Sequence, residues 1–167
     1  MRGMTGRLRI AGCAVGAAVV VLAAVSTAVA SAGGAGTVSF TQTIKDAVQT
    51  QADVNPCSGA TGTSTMHINN AVFHLTFNVN GFWATETSQG TFSFTPDDPS
   101  QPSYFGHFAQ WDGDNGNRQN GTSTFTFHVN LRGSDGSMLT THEVAHMSFS
   151  ANGINSISFD KPHLTCP

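Results

Sequence analysis

An all-β domain, built as an antiparallel meander of seven to eight strands, is what this sequence predicts. Three observations carry that expectation. Apolar and polar residues alternate with a period of two over long stretches such as 73–79 and 125–131. Turn pairs such as Asn80-Gly81 and Asp135-Gly136 punctuate those stretches. Beyond the N-terminal segment, no stretch shows the spacing of an amphipathic helix.

The N-terminal segment stands apart. Arg2, Arg7 and Arg9 precede an Ala/Val-rich run over 10–30, which ends in the small-x-small patterns Ala28-Val29-Ala30 and Ala30-Ser31-Ala32. This is the layout of a secretory signal peptide, assigned to 1–32, and it leaves 33–167 as one domain. The alternative, an uncleaved anchor, fits less well with the alanine content and the cleavage pattern. The protein is therefore expected to be secreted and extracellular, with no membrane contact after cleavage. The remaining chain keeps only Lys45, Arg118, Arg132 and Lys161 against ten acidic residues. Without a basic stripe, nucleic acid is excluded as a partner. Two cysteines remain, Cys57 and Cys166. In an oxidising compartment they are expected to pair, closing a loop worth up to roughly 4–5 kcal/mol in chain entropy.

Taken in order, the first strand is read over 38–44, followed by an irregular loop over 45–62 that holds Cys57. The next strand, 65–80, puts Phe73, Leu75, Phe77 and Val79 on one face. A two-residue turn at Asn80-Gly81 then sets Val79 opposite Phe82, Phe77 opposite Ala84 and Leu75 opposite Glu86. The inner row of the third strand is thus Phe82, Ala84, Glu86, Ser88, Gly90, Phe92 and Phe94. Prolines mark 96–102 as a loop. Residues 104–111 form a strand with aromatics on both faces, and 112–121 reads as a polar loop. Its acidic spacing departs from a calcium loop at positions five, six and twelve.

The strand over 122–132 places Phe125, Phe127, Val129 and Leu131 inward. Ser134-Asp135-Gly136 fits a three-residue hairpin loop, which opposes Leu131 to Leu139, Val129 to Thr141, Phe127 to Glu143 and Phe125 to Ala145. A two-residue turn would reverse the face but bury fewer apolar residues. A last strand over 154–161 has Ile157 and Phe159 on one face. Consecutive hairpins of this kind suit a closed or nearly closed β-barrel, which removes sheet edges. A two-sheet sandwich is the alternative.

Four features bear on chemistry. His142-Glu143-Val144-Ala145-His146 matches H-E-x-x-H, but on a strand the two histidines stand about 13 Å apart and cannot share one zinc ion. A metalloprotease is therefore the last of the functional readings. Glu86 and Glu143 both fall on inner rows, where desolvation raises a carboxyl pKa, so they are the candidate catalytic residues. Phe73, Phe77, Phe92, Phe125 and Phe127 are the candidate lining of a ligand pocket. His128 and His142, direct cross-strand partners on the outer face, are a weaker metal pair, and no cofactor is expected.

The runs TSQGTFSFTPDDPSQPSYFGHFAQW, NGTSTFTFHV and HEVAHMSFSANG resemble a group of small secreted actinobacterial β-proteins. That resemblance covers most of the chain beyond the signal segment and implies secretion. The architecture is similar to calycin or allene-oxide-cyclase-like barrels, which implies a fold type and no particular residues. The expected function is a secreted β-barrel that binds a small apolar ligand or an extracellular partner. The alternative is a cyclase, isomerase or glycoside hydrolase using the inward glutamates, and whether the protein is an enzyme stays open, as does its oligomeric state.

Overall fold

The computed structural model describes residues 36–150 and 153–167, with side chains described for 36–150 and 163–167. The expected signal segment, 1–32, lies outside the described residues. Seven strands follow one another: β1 (Val38–Val54), β2 (Thr61–Asn78), β3 (Gly81–Pro96), β4 (Tyr104–Gly116), β5 (Asn120–Gly133), β6 (Met138–Ser150) and β7 (Gly153–Thr165). They form one antiparallel sheet in sequence order, so every connection between strands is a hairpin. The two-sheet alternative is not formed among the described residues.

No ladder joins β1 to β7 among the described residues. What links the two edges is the Cys57–Cys166 disulfide, with the Cα atoms 5.5 Å apart. Six strand spacings of about 4.8 Å would hold β1 and β7 nearly 29 Å apart in a flat sheet. The sheet is therefore curled. Burial agrees: Phe108, Leu131 and Leu139 are at most 4 % exposed, although no helix or second sheet covers them among the described residues. Glycine permits the tight coiling. A Cβ on Gly106 would run into the Asn130 carbonyl oxygen, and one on Gly90 into that of His67.

The inner face is graded along the strands. Nearest the disulfide it is tightly packed, with Met66, Ile68, Phe92, Phe94, Tyr104, Val129 and Leu131 buried. Toward the other end Phe73, Phe77, Phe82, Phe125 and Met147 are only half-buried, and Phe149 is exposed. The disulfide end is a packed core, and toward the other end these half-buried rings surround the buried Leu75 and Ala84.

Several sequence expectations need correction. The first strand does not stop at Ile44 but runs to Val54, because Asp46 adopts a left-handed φ of 55° and drops out of the ladder opposite Asn69. That break resets the alternation, which the sequence presents as a strand end. On β2 the same irregularity moves the inner row from Ser64, Met66 and Ile68 to Ala71, Phe73 and Leu75. The Asn80-Gly81 turn is displaced. Val79 and Asn80 form the tip, and Asn78 Oδ1 accepts the Asn80 and Gly81 amides at 2.8 and 3.2 Å. An Asx turn has replaced the turn that needs positive φ. Phe77 consequently opposes Phe82, and Leu75 opposes Ala84, a two-residue shift that keeps the face. Val79 lies outside, 62 % exposed.

The β5–β6 hairpin agrees with its expected register: Leu131 opposes Leu139, Phe127 opposes Glu143 and His128 opposes His142. Gly136 takes the left-handed position at φ 87°, and the Gly133 amide donates to the Ser137 carbonyl. For β7, the ladder opposes Ile157 to Met147 and Phe159 to His146 with a register shift between them, so the two do not hold equivalent positions.

Candidate functional site: an inward carboxyl pair

The polar loop expected over 112–121 does not exist as such. β4 continues to Gly116, and the turn is made at 117–119, where Asn117 Oδ1 accepts the amides of Gln119 and Asn120. Gln110, Asp112 and Asp114 therefore continue the inner row begun by Tyr104, Gly106 and Phe108. Sequence reasoning missed all three polar residues. The signal was present, because they keep the phase of Phe108, but the composition Asp-Gly-Asp-Asn-Gly overrode it.

This extension places Asp112 directly opposite Glu86, and Asp114 opposite Ala84. Directly opposed side chains stand about 4.5–5.5 Å apart at Cβ. Phe73 flanks Glu86 on β2, and Phe125 flanks Asp112 on β5, so one lateral row reads Gln42, Phe73, Glu86, Asp112, Phe125, Ala145. In the adjoining row Ser88 opposes Gln110, whose Nε2 donates to Asp112 Oδ2 at 2.6 Å. Gln42 Oε1 is buried without a hydrogen-bond partner in the structure.

Both carboxyls of the pair hold their protons more tightly than usual. For Glu86 the largest cause is burial, followed by the charges of Asp112 and then Asp114. For Asp112 it is again burial, opposed by the Gln110 hydrogen bond and reinforced by Asp114. Among the described residues nothing cationic relieves them. Every lysine, arginine and histidine side chain among the described residues lies on an outward strand position or in a turn.

Glu86 and Glu143, the expected catalytic residues, both occupy inner positions but are not neighbours. Three strand spacings and two residues separate them, about 16 Å along the sheet surface. Glu143 opposes Phe127 and Pro162 instead. The expected lining residues Phe73, Phe77, Phe92, Phe125 and Phe127 all stand on inner rows. Phe92 and Phe127 are buried, and Phe73, Phe77 and Phe125 are half-buried. Phe125 and Phe127 stack with ring centroids 6.3 Å apart and planes within 9°.

The H-E-x-x-H residues lie on β6, with His142 and His146 pointing outward and His146 Nδ1 bonded to Thr124 Oγ1 at 2.7 Å. No three His, Cys, Asp or Glu donors among the described residues are placed to hold a metal ion. The zinc-protease geometry, which needs a helix, is not formed. No protein-family model matches this sequence, and no curated protein or solved structure matches it either.

Proposed function

We propose that this is a secreted, nearly closed β-barrel that binds a small, largely apolar ligand carrying one basic or hydrogen-bond-donating group. The observation that carries the reading is the Glu86–Asp112 pair, set between the half-buried rings of Phe73 and Phe125 on the inner face of the sheet. Two adjacent carboxyls that share a single side-chain hydrogen bond, from Gln110 to Asp112, are costly to bury. A ligand that brings a donor offsets that cost, while its apolar body covers half-buried rings at about 25 cal/mol per Å². A protonated amine suits the site best, since carboxylates and aromatic faces both attract it. The curled sheet and the disulfide between its edges support near closure. Secretion is supported by the N-terminal segment, the disulfide and the resemblance to small secreted actinobacterial proteins.

Calorimetric titration with a long-chain primary amine and the matching alcohol tests this. The amine is expected to saturate at one per chain and to lose at least tenfold in affinity in Glu86→Gln, with the alcohol weaker. Failure of both to bind, or equal binding by wild type and Glu86→Gln, sinks the reading.

A second reading rests on the same opposition of carboxyls. A carboxyl with a raised pKa beside a second carboxyl is an arrangement found in acid–base enzymes, including glycoside hydrolases and isomerases. It would use Glu86 and Asp112 rather than Glu86 and Glu143. A turnover activity lost in both Glu86→Gln and Asp112→Asn is its signature.

A further inference from the structure

All seven histidines of the chain occupy outward positions, and the ladder aligns three of them. His128 on β5 directly opposes His142 on β6, which directly opposes His163 on β7. Residues in direct opposition share a face, with Cβ atoms about 5 Å apart. All three side chains are exposed. The His128 and His142 rings already stand with centroids 5.9 Å apart and planes at 89°. Two imidazoles that share a tetrahedral ion, each Zn–N bond about 2.1 Å long, bring their centroids to roughly 5 Å.

We propose that His128, His142 and His163 form a surface site for one borderline divalent transition-metal ion such as Zn²⁺, with water completing the coordination. The donor set selects the metal: three neutral imidazoles suit zinc, nickel or copper and offer nothing to calcium or magnesium. The three rings do not converge on one point in the structure, so binding an ion requires that they be drawn together. That requires rotation of exposed side chains only, because the backbone positions are set by the ladders. The His163 position is further held by the disulfide at Cys166, three residues on. At His128 the metal replaces a long 3.3 Å contact from Asn130 Nδ2 to Nε2. Asn130 is in turn held by Thr140 Oγ1, which donates to its Oδ1 at 3.0 Å. The consequence is mechanical. An ion ligated from β5, β6 and β7 pins the edge strand β7 to the sheet.

Zinc titration of the tag-free, chelator-stripped protein by calorimetry tests this. The expected result is one Zn²⁺ per chain at about micromolar affinity. His142→Ala, the central ligand, should weaken it at least about thirtyfold, and His128→Ala and His163→Ala about tenfold each. His74→Ala, an outward histidine on β2, should leave it unchanged. Zinc should also raise the thermal unfolding midpoint of the wild type and not that of His163→Ala. His142→Gln, checked by circular dichroism, guards against a folding defect in the alanine variant. The proposal is overturned by an absence of binding, by equal losses in all four alanine variants, or by a His163→Ala variant that binds as the wild type does.

Discussion

At the scale of single residues, the inward carboxyls set a pH dependence whose sign is unusual for acidic side chains. Glu86 and Asp112 have pKa values raised above 4.5 and 3.8, first by burial, then for Glu86 by the charges of Asp112 and Asp114 and for Asp112 by that of Asp114 against the Gln110 hydrogen bond. The folded protein therefore binds protons more tightly than the unfolded chain does. Their contribution is fully present below the ordinary carboxyl range and is lost as pH rises through the folded values. The unliganded protein should be more stable toward urea near pH 4.5 than at pH 7, as far as these two groups decide it. Glu86→Gln should flatten that slope and stabilise the protein at pH 7 by about 1 kcal/mol, a modest figure because the group is half-exposed and screened. Urea midpoints for both proteins across that range check it, and a steeper slope in the variant contradicts it. Asp98 and Asp135 have lowered pKa values from bonds to Ser100 and Ser137, but both are fully exposed and add little.

At the scale of elements, turns and glycines decide the register. The β5–β6 hairpin was readable because its glycine had one role: Gly136 sits at φ 87° with open space around it, so only backbone strain opposes a side chain there. Gly136→Ala should cost about 1–2 kcal/mol. Gly106 differs in kind. Its conformation is ordinary, but a Cβ there meets the Asn130 carbonyl of the adjacent strand, so Gly106→Ala should force β4 and β5 apart and cost more than the turn variant. Thermal or urea unfolding of the two variants ranks them, and the reverse order would contradict the packing argument. The β2–β3 turn was misread because Asn78 and Asn80 both precede usable turn positions. The side-chain bonds of Asn78 chose between them. The inward acids of β4 were masked for a related reason, although they keep the phase of Phe108. Asp, Asn and Gly punctuate loops when exposed, yet here alternation carried them into a ladder.

At the scale of the whole molecule, the fold class, the meander, the disulfide and one complete hairpin register were legible in the sequence. The seam was not. Alternation says which residues face inward, but it does not say whether the last strand reaches the first. In this chain the sheet curls, and a covalent bond stands where a ladder would close it. The edge strands carry features suited to staying unpaired: Lys45 and the left-handed Asp46 on β1, and Pro162, which has no amide hydrogen, on β7. The disulfide should therefore act chiefly at the seam. Cys166→Ser removes a cross-link spanning 109 residues and should cost about 2–4 kcal/mol of stability. The loss should also be local before it is global. Hydrogen exchange under native conditions should show β1 and β7 amides exchanging first in Cys166→Ser, while β3, β4 and β5, paired on both sides, keep their protection. Uniform loss of protection across all seven strands would mean that the sheet unfolds as one unit. The disulfide would then hold the whole fold rather than its seam.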